Sequence, residues 1–267
     1  MWKTNEPQPL SRASLKALFD NEIPAIRIQA FATGDECCRF VEATGQHTMK
    51  PVVGDTDVGQ AAFAVQRIDH LGMTQAAFKR RGPIAYFAAA TKATAETATI
   101  YAQSFNPLDR LIGLLVSNND GIVERAIEPD GRPYFVGIIR KSNEGLALHA
   151  DFAPYQAPDY SVDSIDAQLA WNYYAVAPEV GGVTTLHDAP WTWTRNRPGE
   201  IGENYPLPKE AVAGARTFSY RPAAGEAWLF NSRNPHLVSP PGPSAGDRLA
   251  VACFIGRYPN GRLALWS

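Results

Sequence analysis

The sequence predicts an α+β protein in which a mainly helical first half buttresses a β-rich second half. Three observations carry this expectation. An alanine-rich stretch spans 84–105, the texture changes after about residue 132 to short β-rich runs, and turn residues punctuate those runs.

Taken in order, Ile26-Arg27-Ile28-Gln29-Ala30-Phe31 alternates apolar and other residues like a short strand. Thr33-Gly34-Asp35 then offers caps for a helix over 36–43. Gly82-Pro83 marks the start of the long helix, which carries Tyr86, Phe87, Ile100 and Tyr101. A second helix is expected after Asn106-Pro107, with Leu111, Ile112, Leu114, Leu115 and Val116 as its apolar stripe. That stripe reads as a helical layer packed on a sheet, in preference to a cofactor box. Strands are expected at 134–139, 167–176, 183–186, 216–220, 227–230 and 249–255. Asn143-Glu144-Gly145, Pro178-Glu179, Gly181-Gly182, Pro222-Ala223-Ala224-Gly225 and the Pro/Gly-rich 240–246 stretch separate them. Strands this short at this spacing predict a sandwich or double-stranded β-helix, a cupin-like jelly roll. The Pro/Trp/Arg-rich 191–208 stretch is expected to be a long surface loop. With no repeat and no linker, 1–267 reads as one domain, about 1–131 mainly helical support and about 132–267 the β-core.

At 267 residues with 45% apolar content, the chain can bury one large core. A net charge of −2 gives no basic footprint for nucleic acid or an anionic membrane, so a small neutral or zwitterionic molecule fits better as partner. The three cysteines, Cys37, Cys38 and Cys253, are neither a disulfide framework nor a zinc ribbon, which argues for a reducing compartment. The first residues lack the apolar core of a signal peptide, and no run approaches membrane-spanning length. A cytoplasmic location is expected.

Chemistry concentrates in Leu148-His149-Ala150-Asp151-Phe152, in Asn234-Pro235-His236 and in Arg248. In a strand, residues i and i+2 face the same side, so His149 and Asp151 at a strand end can share one metal. His236, after a turn that follows the 227–230 run, can enter from the opposite wall. Two imidazoles and one carboxylate leave neighbouring coordination positions open on non-haem iron(II). His-x-Asp alone is a weak motif, and the bland reading of His149 is a hydrogen-bonded structural histidine. Arg248 opens the last strand, where a buried guanidinium needs a carboxylate; a structural salt bridge with Asp247 or Glu226 is the alternative. His47, His70 and His187 lack a carboxylate two residues on and read as structural or surface residues, His187 keeping the best chance of touching substrate.

From about Arg132 onward the chain resembles the iron(II)/2-oxoglutarate-dependent oxygenase superfamily, whose double-stranded β-helix carries His-x-Asp…His followed by Arg or Lys. Gly181-Gly182-Val183-Thr184 and Gly225-Glu226-Ala227-Trp228-Leu229-Phe230 support the likeness. His149-Ala150-Asp151-Phe152-Ala153-Pro154-Tyr155, Gln168-Leu169-Ala170-Trp171-Asn172, Phe230-Asn231-Ser232-Arg233-Asn234-Pro235-His236 and the Phe254…Ser267 ending are similar to a clade acting on free amino acids. That clade mixes hydroxylases with radical halogenases, which place Gly or Ala where Asp151 stands. Asp151 therefore argues for hydroxylation.

The resemblance implies His149, Asp151 and His236 as iron ligands and catalytic centre, O2 as co-reactant, and Arg248 on the far carboxylate of 2-oxoglutarate. Strand parity puts Gln168, Ala170, Asn172 and Tyr174 on one face, which is turned toward 2-oxoglutarate, with Asn172 the best single choice. By the same parity Tyr134 and Arg140 share a face and can reach the cosubstrate. For an amino-acid substrate, Arg80, Arg81 and Arg257 are candidates to hold a carboxylate, and Trp266 to wall the pocket. The expected reaction is hydroxylation of an unactivated C–H of a free amino acid or natural-product intermediate. Desaturation or cyclisation at the same iron, or a non-catalytic cupin-like binding protein, stand as alternatives.

Overall fold

Side-chain capping sets where the helices begin. In this computed structural model, which describes residues 1–51, 68–191, 206–242 and 246–267, helix α1 (Arg12–Phe19) starts at a capping box between Ser11 and Ser14. It has no counterpart among the sequence expectations. Thr33 and Glu36 form the same reciprocal pair at the start of α2 (Gly34–Gly45), close to the expected 36–43 helix. The long helix α3 is Gly82–Gln103, shifted slightly toward the N-terminus, and α4 (Pro107–Asn118) is capped by Asn106.

Helix α2 is pinned to α4 by Glu36, which accepts from Arg110 at 2.5 and 2.9 Å. The Arg110 contact pushes the Glu36 carboxyl down to about 2 from its usual 4.5. A depressed carboxyl stabilises the fold above its unfolded value and loses that contribution as pH falls through the folded one. Glu36→Gln, which can keep the capping box, is therefore expected to cost about 1–2 kcal/mol at pH 7. Urea midpoints should show the gap to wild type closing as pH falls from about 4.5 toward 2.

The strands are β1 (Ile26–Ile28), β2 (Lys50–Pro51), β3 (Ile68–Leu71), β4 (Val123–Arg125), β5 (Ile138–Ser142), β6 (Leu146–His149) and β7 (Ala167–Val176). They continue with β8 (Thr184–His187), β9 (Thr217–Tyr220), β10 (Ala227–Asn231), β11 (His236–Val238), β12 (Leu249–Arg257) and β13 (Leu263–Trp266). One sheet runs β1-β10-β7-β12-β5-β3-β2, with β13 on β12 and β4 on β13; the other runs β6-β11-β8-β9. All pairings but β13–β4 are antiparallel. From β5 onward the chain passes back and forth between the two sheets, an arrangement consistent with a jelly roll.

Strand parity decides what each face meets. Leu169, Trp171 and Tyr173 of β7 pack with residues of α1 and α2, whereas Ala170 and Tyr174 pack with Leu186, Phe218 and Tyr220 of the smaller sheet. On β12, Val251, Cys253 and Ile255 join the helical side, while Ala250 lies on the inner side.

The strand expected at 134–139 corresponds only to Ile138–Ser142. Gly137 takes φ +90° and breaks the run; a Cβ there would meet Leu108 at 2.8 Å and the Tyr101 hydroxyl at 2.9 Å. The 191–208 loop and the 240–246 turn fall largely or partly outside the described residues. Among the described residues no helix is long and apolar enough to cross a membrane, and the three cysteines are free thiols.

Candidate metal centre

His149 is the last residue of β6 and His236 the first of β11, and the antiparallel register sets them directly opposite each other. Their rings lie 4.1 Å apart. Asp151, just beyond β6, is fixed by its backbone: its N–H donates to the Ser232 carbonyl at 2.8 Å, and the Ser232 hydroxyl donates to its carbonyl at 3.0 Å. Its Oδ2 then stands 3.7 Å from His149 Nε2 and 3.8 Å from His236 Nε2. One donor atom from each of the three residues lies within 4.8 Å of the others.

Both imidazoles are held in the same way. His149 Nδ1 meets the Ala147 carbonyl at 2.7 Å, and His236 Nδ1 meets the Asn234 carbonyl at 2.9 Å. A carbonyl only accepts, so each Nδ1 carries a proton, and Nε2 is the ring nitrogen left facing Asp151 to ligate a metal. Burial, reinforced by nearby His149 and Arg140, holds His236 well below the ordinary imidazole value. Two neutral imidazole nitrogens and a carboxylate oxygen are a donor set suited to a non-haem iron(II) with open positions.

The turn before His236 is itself anchored in depth. Asn234 Nδ2 donates to Asn21 Oδ1 at 2.6 Å, and Asn21 Nδ2 donates to Asp188 Oδ1 at 3.2 Å. Trp2 completes the net, its backbone N–H on Asp188 at 2.8 Å and its indole N–H on Asn21 at 3.2 Å. Among the described residues Asn21 alone, glycines aside, has a positive φ, 56°.

Arg248 is 4% exposed. Its guanidinium donates to Ser142 Oγ at 2.7 Å and to the Tyr174 hydroxyl at 3.3 Å, lies over the Tyr174 ring, and leaves its buried Nε without an acceptor. The acids that could have neutralised it are used elsewhere. Asp247 pairs with Lys141 and Asn143, and Glu226 with Arg27 and the Trp228 indole. No carboxylate of the described residues forms an ion pair with Arg248. A buried cation in this state would gain a charge-assisted partner from an incoming anion.

The other expected residues divide. Asn172 sits on the inner parity of β7 with Tyr174, opposite Ala252 and Trp228. Gln168 instead accepts the Ala153 N–H at 2.8 Å and steadies the segment after Asp151. Tyr134 sits apart from Arg140: its hydroxyl donates to Glu128 and lies 3.5 Å from Ser161 Oγ, amid Tyr86, Phe87 and Tyr160. The parity that joined it to Arg140 fails because Gly137 interrupts the strand. Arg140 is among the charges that lower the His236 value.

Arg257 lies on the other face of its strand. Its odd position on β12 turns it to the helical side, where Asp20 and Asp166 each take it at 2.8 Å. Arg81 donates to the Ala77 carbonyl at 3.0 Å and lies over Phe78 at the start of α3. Trp266 is buried against Phe254 in the same apolar cluster as Phe152, the residue after Asp151. Both ring nitrogens of His187 are buried without partners, and burial lowers its pKa. Arg233, beside the ligand turn, was not singled out from the sequence, where it is one basic residue in a polar stretch.

No family model matches the sequence. A stretch of 142 residues is 39% identical to L-gamma-glutamyl-L-propargylglycine hydroxylase of Streptantibioticus cattleyicolor, covering 51% of this chain and 50% of that protein. A second stretch, of 156 residues, is 28% identical to Leucinostatins biosynthesis cluster protein S of Purpureocillium lilacinum, covering 55% of this chain and 63% of that one. The matches thus span about half to two thirds of these relatives' lengths. The crystal structure of an N-substituted L-amino acid dioxygenase from Burkholderia ambifaria AMMD, in complex with alpha-KG, superposes with a TM-score of 0.60 at 16% identity. That likeness covers 96% of this chain and 90% of the other and shows the shared fold. The chain is thus similar in half of its sequence to a protein named as a hydroxylase, and in fold to one named as an L-amino acid dioxygenase.

Proposed function

We propose that the protein is an iron(II)- and 2-oxoglutarate-dependent dioxygenase that hydroxylates an unactivated C–H of an amino acid or a derivative such as a γ-glutamyl-linked amino acid. The observation that carries this reading is a pair: a His-Asp-His cluster with both Nε2 atoms presented inward, and a buried Arg248 with no carboxylate partner among the described residues. The passage of the chain between its two sheets supports a double-stranded β-helix, with the first-half helices and this core forming one catalytic unit in the cytoplasm.

In that reading His149, Asp151 and His236 hold iron(II), and Arg248 binds the far carboxylate of 2-oxoglutarate with Tyr174 beneath it. Iron(II), 2-oxoglutarate and O2 together supply the oxidising power for C–H hydroxylation. Ser142 and Tyr174 fix the guanidinium, while Ala147 and Asn234 fix the tautomers of the two imidazoles. Asn172 adds a hydrogen-bonding group on the inner face. The carboxylate of Asp151 within the cluster favours hydroxylation over halogenation.

Anaerobic addition of iron(II) and then 2-oxoglutarate is expected to produce a weak visible charge-transfer band that needs both. Screening amino acids and γ-glutamyl conjugates for succinate release would then follow. A protein that gives no band and releases no succinate would be a binding protein, and the oxygenase reading would fall.

A further inference from the structure

A second cation near the centre has no acid partner among the described residues. Arg233 lies in the turn between β10 and β11, separated from the ligand His236 only by Asn234 and Pro235. Its guanidinium stands 4.6 Å over the ring of Phe152, the residue that follows the ligand Asp151. Ser232, its chain neighbour, is the residue bonded at both ends to the Asp151 backbone. The head group is therefore attached on one side to the His236 turn and stacked on the other against the Asp151 segment.

Two of its nitrogens are used. Nε and Nη2 donate to the Trp191 carbonyl at 3.3 and 2.7 Å, which closes the strand-to-turn junction. Holding a carbonyl needs a donor but no charge. Among the described residues no acid answers the charge: the residue is half-buried, and desolvation lowers its pKa against an opposing effect of the Tyr155 phenol. No carboxylate of the described residues pairs with it. The Trp191 indole N–H, on the residue Arg233 grips, is also buried without an acceptor. A half-buried guanidinium over an aromatic ring, with no acid among the described residues, is a receptor for a planar anion.

We propose that Arg233 receives a carboxylate of the substrate, so that the substrate is anionic at the end lying away from the reacting C–H. This rests on the oxygenase reading above and narrows it. Arg248 and Arg233 then have separate duties, the first to the cosubstrate and the second to the substrate. Phe152 flanks the substrate carboxylate and positions it relative to Asp151.

The test is an anaerobic titration of the wild-type protein, loaded with iron(II) and 2-oxoglutarate. The probes are the twenty standard L-amino acids, their γ-glutamyl conjugates and the matching C-terminal amides, each read by perturbation of the charge-transfer band. At least one acid is expected to bind, and its amide to bind about 30-fold or more weakly. Arg233→Gln, which keeps a donor for the Trp191 carbonyl, is expected to retain the band and to weaken that acid about 30- to 100-fold. Arg233→Lys should recover most of the loss. Equal binding of acid and amide, response to no acid, or unchanged affinity in Arg233→Gln would each overturn the assignment. A wild type that forms no band would overturn the oxygenase reading itself, and the substrate role with it.

Discussion

Asp151→Ala is expected to lose the iron–2-oxoglutarate charge-transfer band and all detectable coupled turnover while remaining folded. The side chain supplies the one anionic donor among the three, standing 3.7 and 3.8 Å from the two Nε2 atoms. Its backbone bonds to Ser232 do not involve the carboxylate and survive the change. Without it, two neutral imidazoles face the ion with no charge compensation, and iron(II) affinity should fall at least about 100-fold. Equilibrium dialysis measures the metal loss and thermal melting the persistence of the fold. Retained iron affinity would remove Asp151 from the ligand set.

Arg248→Met separates binding from stability in an instructive direction. In the ligand-free protein the buried guanidinium has two hydroxyl acceptors, an unsatisfied Nε and no anion among the described residues. Removing a buried uncompensated charge costs little and can stabilise, so the variant should melt at or above the wild-type temperature without ligand. With iron(II) and saturating 2-oxoglutarate the order should reverse, because only the wild type gains the charge-assisted pair. The dissociation constant for 2-oxoglutarate is expected to rise about 30- to 1,000-fold, with amino-acid probes changed far less. A large fall in ligand-free stability would instead make Arg248 a structural residue.

What could be read from the sequence was what local rules dictate. The caps at Thr33 and Asn106 gave two helices nearly in place, and the long apolar runs became β7, β10 and β12. Parity on β7 separated Trp171 and Tyr173 from Tyr174 because that strand is long and unbroken. The same rule failed for Tyr134, where one glycine with a positive φ reset the alternation. It was not applied at Arg257, whose odd position on β12 put it among aspartates on the helical side. Strands β6 and β11 are only four and three residues long, too short for a periodic signal, although they carry both histidines. Asn21, Asp188 and Arg233 acquire their surroundings from contacts distant in sequence, which no local pattern encodes.

The net of Trp2, Asn21, Asp188 and Asn234 joins the beginning of the chain to the carbonyl that sets His236. Asn231 adds two longer bonds from the same turn to the carbonyls of Leu18 and Phe19, at 3.4 Å each. Residues 2–21 and 231–236 are therefore expected to open together as one cooperative unit, so that a fluctuation detaching the first would also release His236, a proposed iron ligand. Metal loading should then slow amide exchange at Trp2 and at Asn21, far from the ion in sequence, as strongly as at the turn it touches.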